Sequence, residues 1–109
     1  MAGFVKGDVV IVPFPFSDLT GNKRRPALVL ADLPGNDIIL CQITSQKSGD
    51  PNAIMITSAD FLTGGLPIAS YIRPGRIFTA DKNIIVRKTG TANLSVRSKV
   101  SQILVKLLT

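Results

Sequence analysis

The sequence predicts a mainly β, β-rich α+β fold, in which a small barrel or strongly bent antiparallel sheet carries one helix at its carboxyl end. Short apolar runs recur along most of the chain and are separated by Gly, Pro, Asn and Asp, which is typical of strands joined by turns. The apolar period then lengthens to that of a helix in the last part of the chain. A length of 109 residues suits one domain.

Seven short apolar runs between residues 8 and 88 predict seven strands. Pro13 and Pro15 interrupt the ladder of the first strand. The second and third runs are separated by the turn-forming segment Asp32–Asp37, which predicts a hairpin. Residues 58–67 read as one helical turn that Gly64 stops. The predicted strands are residues 8–16, 26–31, 38–44, 53–57, 69–73, 76–79 and 84–88.

Residues 95–108 predict the terminal helix. Ser95 is the expected N-cap, because its hydroxyl can accept a hydrogen bond from a free backbone N–H of the first turn. The apolar side chains lie on one helical face, so this face is expected to pack on the sheet. They are Val96, Val100, Ile103, Leu104 and Leu107.

The net charge of +6 is unevenly distributed. Residues 1–60 contain six Asp and five Lys or Arg, whereas residues 61–109 contain one Asp and eight Lys or Arg. This asymmetry favours a polyanionic partner, either a nucleic acid or an acidic protein segment. Ordinary surface charge that keeps a small domain soluble is the alternative.

The composition also excludes several kinds of site. The chain contains no His and no Glu, and Cys41 is its only cysteine, so a zinc site and the commonest acid–base group are absent. The Asp residues are scattered, which argues against a magnesium site. We therefore expect no metal and no cofactor. The lone cysteine and the shortness of the apolar runs suit a cytoplasmic protein with neither a signal peptide nor a membrane span.

Five segments in order resemble the MazF/PemK family of toxins from type II toxin–antitoxin pairs. Together they extend from about Lys6 to Leu108, and the family pattern is specific only when all five occur in this order. They are "KGDVVIVPFPFSD", "RRPALVLAD", "ILCQITSQ", "SYIRPGRIFTADKNII" and "GTANLS".

The resemblance implies a fold, an activity and a partner. The implied fold is an SH3-like barrel of short antiparallel strands with a C-terminal helix, in one domain that spans residues 1–109 and forms a homodimer. The implied activity is that of an mRNA interferase, a metal-independent endoribonuclease that cleaves single-stranded RNA. Attack by the 2′-hydroxyl would leave 2′,3′-cyclic phosphate and 5′-hydroxyl ends and would inhibit translation and growth. The implied partner is a cognate antitoxin.

The resemblance also suggests two catalytic residues. Arg25 matches the family's catalytic arginine, and Pro26 favours an extended backbone at this position. A guanidinium suits the charge of a phosphorane, although a solvated arginine in a turn is the alternative. Thr44 matches the family's active-site threonine. Its alternative is a strand residue that satisfies its own backbone.

The segment that ends at Asp81 departs from some better-known members. Those members have an arginine three residues before the aspartate, where this chain has Phe78. Either Arg76 or Arg73 is a candidate for supplying the missing charge. Asp81 is expected to act as a base or to hold an arginine, unless it only forms the following turn.

Further residues are expected to contact RNA. Phe16 is a candidate for stacking on a base, although a place in the core or in a dimer interface is the alternative for the phenylalanines of its loop. Arg24 should point to the face opposite Arg25 if the backbone is extended. The expected RNA contacts are Phe16, Ser17, Lys23, Arg24, Ser45, Gln46 and Arg73.

Two other functions fit a fold of this kind. One is a DNA gyrase poison like CcdB, which would act through its dimer surface and terminal helix and would not need Arg25 or Thr44. The other is a barrel that binds nucleic acid without cutting it, which Phe78 in place of the usual arginine favours.

Overall fold

A computed structural model describes residues 3–13, 23–47 and 49–109 of the chain. This part of the chain contains seven strands, two single turns of 3-10 helix and one α-helix. The strands are β1 (Asp8–Pro13), β2 (Arg24–Asp32), β3 (Asp37–Thr44), β4 (Ile54–Ile56), β5 (Phe61–Gly64), β6 (Ser70–Asp81) and β7 (Arg87–Ala92). The helix is α1 (Leu94–Leu108).

All seven strands belong to one curled sheet with the order β4-β6-β3-β2-β1-β7-β5. Every pair of neighbouring strands is antiparallel. The sheet curls into a half-barrel, and α1 packs mainly against β6 and β4. The fold class predicted from the sequence is therefore confirmed.

The apolar residues of the strands form two clusters, one on each face of the sheet. Because successive side chains of a strand point to opposite faces, the unbroken run Val9–Val12 supplies both clusters. We call the face that α1 covers the helix face, and the other the outer face. The helix face buries Val9, Leu28, Cys41, Ile43, Ile56, Ile72, Ala92, Val96 and Val100. The outer face buries Val10, Val12, Ala27, Val29, Ile38 and Leu40.

The predicted N-cap of the helix was wrong by two residues. The helix begins at Leu94, and its N-cap is Asn93 rather than Ser95. The Asn93 side chain accepts a hydrogen bond of 3.0 Å from the backbone N–H of Val96. Asn and Ser are about equally good caps, so the pattern of residue types alone did not separate the two positions.

The predictions for residues 58–92 also needed correction. The helical turn is confined to Ser58–Asp60, and Phe61–Gly64 forms β5 against β7. This pairing requires glycine, because a Cβ at Gly90 would lie 2.6 Å from the carbonyl oxygen of Thr63. β7 runs from Arg87 to Ala92, whereas the predicted strand covered residues 84–88, and Ile84 belongs to the second turn of 3-10 helix.

β6 is one strand of 12 residues where the sequence predicted two. Pro74 and Gly75 lie in an irregular stretch where the register of β3 and β6 shifts. The missing N–H of a proline costs little at such a position.

Residues 14–16, predicted as the end of the first strand, lie outside the described residues. The α1 helix is too short and too polar to cross a membrane, and no other described helix is longer.

Candidate active site

The two predicted catalytic residues lie at neighbouring strand ends on the same face of the sheet. β2 and β3 pair Leu28 with Cys41 and Ala27 with Gln42. Continued two residues beyond the last of these pairs, the same register would set Arg25 opposite Thr44. Residues directly opposite each other in an antiparallel pair project from the same face. This is the outer face, because Arg25 also pairs with the buried Val12 of β1.

The local hydrogen bonding of Thr44 leaves its hydroxyl proton available. The Oγ1 atom accepts a hydrogen bond of 3.2 Å from the backbone N–H of Gln46. A hydroxyl can accept and donate at the same time. Thr44 thus satisfies nearby backbone, as the alternative interpretation proposed, and it still has one donor to offer. Both Thr44 and Arg25 are half-buried.

A large bulge in β6 lies next to this pair of residues. β3 and β6 pair Ile43 with Ile72 on one side of the bulge and Cys41 with Ile77 on the other. The four residues Arg73–Arg76 therefore stand opposite the single residue Gln42. Extra residues of this kind bend a strand and redirect its side chains.

The bulge brings Arg73 to the carboxylate of Asp50, and the positive charge of Arg76 also acts on that carboxylate. The Nε atom of Arg73 lies 3.1 Å from Oδ2 of Asp50, and both side chains are mostly buried. A hydrogen bond from the backbone N–H of Asn52 lowers the pKa of Asp50, and the charges of Arg73 and Arg76 lower it further. The charge of Arg73 is thus largely compensated, whereas Arg76 is exposed.

Phe78, the residue in the unusual position, packs with the outer cluster. It pairs with Leu40 of β3. By strand alternation Arg76 projects from the same face as Phe78, two residues nearer to Thr44. The sequence left either Arg73 or Arg76 as the source of the missing positive charge. Within the described residues, Arg73 forms a close ion pair and Arg76 does not.

Asp81 lies at the opposite end of β3 from Thr44. It pairs with Asp37, and a strand rise of about 3.3 Å per residue puts it roughly 20 Å from Thr44. Its carboxylate accepts a hydrogen bond of 2.8 Å from the backbone N–H of Asn83 and caps a turn. Within this chain the structure does not bring Asp81 to Arg25 and Thr44.

Arg24 borders a cavity of about 340 Å³ on the helix face. Ile11 pairs with Pro26 on one side and with Arg87 on the other, so Arg24 and Arg87 share the face of Ile11 by alternation. The opposite orientation of Arg24 and Arg25 agrees with the expectation from the sequence. The cavity is lined by Ile11, Arg24, Arg25, Pro26, Ile43, Ser45, Leu66, Pro67, Ile68, Ser70, Arg87 and Thr89.

Arg87 is a candidate that sequence reasoning missed. It lies in a predicted strand with ordinary strand neighbours, so no local signal marks it. Its place beside β2 depends on β1, which pairs with β2 and β7 at once. The only available signal was the general excess of positive charge in the second half of the chain.

The other predicted RNA contacts are dispersed. Lys23 and Gln46 are exposed at the ends of β2 and β3, close to Arg24 and Thr44 in the chain. Ser45 lines the cavity on the helix face. Phe16 and Ser17 lie outside the described residues.

The cysteine is not a candidate nucleophile. Burial raises the pKa of the Cys41 thiol to about 12, and a thiol must ionise before it attacks. Within residues 3–13, 23–47 and 49–109, no three Cys or Asp residues are grouped as a metal site would require.

Comparison of the sequence with protein families gives a match over residues 5–108 to the model of the PemK-like, MazF-like toxins of type II toxin–antitoxin systems. The chain belongs to this family. Comparison with curated protein sequences gives no significant match.

Solved structures of MazF toxins and related endoribonucleases share the fold of this PemK/MazF-family chain. An endoribonuclease in complex with its cognate antitoxin from Mycobacterial species superposes with a TM-score of 0.75 at 18% identity, over 97% of this chain and 95% of the other. A second endoribonuclease from Mycobacterial species superposes with a TM-score of 0.73 at 18% identity, over 99% of this chain and 93% of the other. A MazE–MazF complex from Deinococcus radiodurans superposes with a TM-score of 0.72 at 22% identity, over 94% of this chain and 92% of the other. At these identities the likeness shows the fold alone.

Proposed function

We propose that this protein is a toxin that cleaves single-stranded RNA without a metal ion. The observation that carries the proposal is that β2 and β3 pair as far as Ala27 and Gln42 of the outer face, two residues short of Arg25 and Thr44. Membership of the PemK/MazF family supports it, as do structural neighbours described as endoribonucleases. A guanidinium and a hydroxyl at one site suit a reaction whose main need is the stabilisation of phosphate charge.

In the proposed reaction the 2′-oxygen of a nucleotide forms a bond to the adjacent phosphorus. The bond between that phosphorus and the 5′-oxygen of the next nucleotide breaks, which leaves a 2′,3′-cyclic phosphate and a 5′-hydroxyl. The 2′-hydroxyl loses a proton and the departing 5′-oxygen gains one, so the overall charge is conserved.

Arg25 and Thr44 have different tasks in this reaction. Arg25 donates two N–H groups to the equatorial oxygens of the phosphorane, where negative charge accumulates. Thr44 donates its free hydroxyl proton to a phosphate oxygen or orients the 2′-hydroxyl for in-line attack. The exposed Arg76 adds positive charge on the same face.

Family membership extends the proposal to partners. We expect a cognate antitoxin to bind the toxin, because neighbours of the same fold were solved as complexes with antitoxins. We also expect one domain, a homodimer, a cytoplasmic location and messenger RNA as the target. Loss of messenger RNA would stop translation and growth.

The test is cleavage of a long single-stranded RNA in EDTA, with analysis of the product ends. Arg25→Ala should show no cleavage while circular dichroism and thermal unfolding remain those of the wild type. Lys106→Ala is the matched control, because it removes one positive charge from an exposed position on α1. It should cleave like the wild type and leave 2′,3′-cyclic phosphate and 5′-hydroxyl ends. Undiminished cleavage by folded Arg25→Ala would contradict the proposal.

A barrel that binds RNA without cutting it is the second candidate. The packing of Phe78 in the outer cluster favours it, since no charge comes from that position. This candidate predicts that folded wild-type protein, free of antitoxin, leaves RNA intact but binds it with a strong dependence on salt.

A further inference from the structure

We propose that the cavity on the helix face binds one nucleotide of the RNA, next to the phosphate that is cleaved. Arg24 and Arg87 would hold its phosphate, and the segment Leu66–Ile68 would contact its base. The proposal rests on the proposed function, because the nucleotide is a neighbour of the one held at Arg25 and Thr44.

The wall formed by residues 65–68 is held in place at both ends. The backbone N–H of Gly65 donates to the carbonyl of Thr89 at 3.1 Å, and the hydroxyl of Thr89 donates back to the carbonyl of Gly65 at 2.7 Å. At the other end, the hydroxyl of the buried Ser70 donates to the carbonyl of Ile68 at 3.1 Å. The cavity is therefore formed before any ligand binds.

The charges around the cavity favour an anion. Arg24 and Arg87 line it from the helix face, and no Asp lies among the lining residues. Arg25 also borders the cavity, but by alternation its side chain leaves β2 on the outer face. Arg87 and the start of β2 flank β1 on its two sides, so their backbones are about 10 Å apart at a strand spacing of about 4.8 Å. Two long side chains on one face can converge on a phosphate across that distance.

The apolar wall favours a base rather than a free phosphate. Leu66, Pro67 and Ile68 line the cavity, and Ile68 is 59% exposed. These aliphatic side chains can pack on the flat apolar face of a base, while the arginines of the cavity bind the phosphate joined to it. The volume of about 340 Å³ is near the lower end for small-molecule pockets. It therefore suits one nucleotide and not a longer stretch.

The adjacent arginines connect this cavity with the proposed active site. Arg24 and Arg25 are consecutive in an extended backbone, so they leave β2 on opposite faces. An RNA strand that crosses the end of β2 would contact both. The cleaved phosphate would lie at Arg25 and the neighbouring nucleotide at Arg24.

The decisive experiment measures binding of a 2′-O-methyl RNA oligonucleotide, which cannot be cleaved, by fluorescence anisotropy over a series of salt concentrations. Arg87→Ala should bind about tenfold more weakly, and the slope of log affinity against log salt should fall by about 0.7, as expected for the loss of one phosphate contact on a single strand. Lys88→Ala is the matched control, because Lys88 is the next residue of β7, is exposed and does not line the cavity. It should change the affinity by less than about twofold, as exposed charges away from a contact do.

A second pair of variants tests the base contact. Ile68→Ala should weaken binding several-fold and alter the preference among oligonucleotides that differ in one base. Leu62→Ala removes a side chain that is similarly exposed, at 64%, but lies outside the cavity, and it should have no effect. Equal binding by Ile68→Ala and Leu62→Ala would remove the base from the proposal.

The results separate this inference from the proposed function. If wild-type protein binds RNA through Arg87 but never cleaves it, the enzymatic proposal fails and the nucleotide site stands. If wild-type protein cleaves RNA and Arg87→Ala binds and cleaves like Lys88→Ala, the nucleotide site fails and the enzymatic proposal stands.

Discussion

The two ends of β3 differ in how their charges are used. At the end near Asp37, Lys82 lies 2.6 Å from a carboxylate oxygen of Asp32 and donates to the carbonyls of Leu33 and Gly35 at 2.8 and 2.9 Å. Asp81 caps the turn beside it. These charges are used to hold the chain together.

At the Thr44 end Arg73 forms an ion pair with Asp50, but three other arginines of the described residues border one cavity whose lining contains no Asp. Arg24, Arg25 and Arg87 have no ion pair with any residue in the described ranges. Like charges held together cost stability unless an anion joins them. We infer that the end of the sheet whose charges are left uncompensated is the functional one, and the following predictions test that contrast.

The largest effect is expected at the Thr44 end. Thr44→Val keeps the branched shape of the side chain but removes the hydroxyl, so we expect kcat for RNA cleavage to fall by about 100-fold, as for the loss of one donor to a developing oxyanion. The Michaelis constant and the melting temperature should change little, because the side chain keeps its shape and the exposed backbone N–H of Gln46, which loses Oγ1 as its acceptor, bonds to water instead. Single-turnover kinetics would measure the loss, and an unchanged rate would remove Thr44 from the site.

At the Asp37 end the effect should be on stability instead. Lys82→Ala removes three contacts, but the Lys82 and Asp32 side chains are 24% and 38% exposed. Solvent screening limits the expected loss in the free energy of unfolding to about 1 kcal/mol. Urea unfolding would measure it, with Lys88→Ala as the exposed control. Cleavage by the folded variant should be normal, and a loss of cleavage would contradict the assignment of this end as structural.

A smaller effect is expected at Asp50, beside the β6 bulge. Its pKa in the folded protein is lower than the ordinary value of 3.8, so its contribution to stability is present above that pH and is lost as the pH falls through the folded pKa. Asp50→Asn should therefore be less stable than the wild type at neutral pH, and the difference should disappear in acid. Urea unfolding at several pH values would show this, and a difference that persists in acid would contradict the role of the carboxylate charge.

The smallest effect is expected at Asp81. Asp81→Asn removes a possible base but keeps a side chain that caps a turn equally well. We expect cleavage within about twofold of the wild type and an unchanged melting temperature, because an equivalent cap preserves the turn. A fall in cleavage of the size expected for Thr44→Val would show that Asp81 takes part in the reaction, despite its distance from Thr44 in this chain.

The sequence predicted most of the sheet because the apolar runs of β1 to β4 are short, strongly alternating or fully buried, and separated by clear turns. It missed β5 and the length of β7, because their pairing depends on the close approach that Gly64 and Gly90 permit, which is a property of two distant segments. The split prediction for β6 failed for a similar reason. A proline usually ends a strand, but here a bulge accommodates it.

The candidate site was only partly accessible from the sequence. Arg25 and Thr44 were predicted by resemblance to a family, and the observed pairing of β2 with β3 ends two residues before them. The association of Arg73 with Asp50, and of Arg87 with Arg24, required the tertiary pairing of strands that are distant in the sequence. No local pattern of charges reveals such pairs.

The consecutive arginines at the start of β2 make the molecule sensitive to the parity of insertions at that point. One residue inserted between Arg25 and Pro26 would exchange the faces on which the two guanidiniums emerge, whereas two inserted residues would restore them. Insertions next to Pro26 should therefore be tolerated more readily when they add two residues than when they add one.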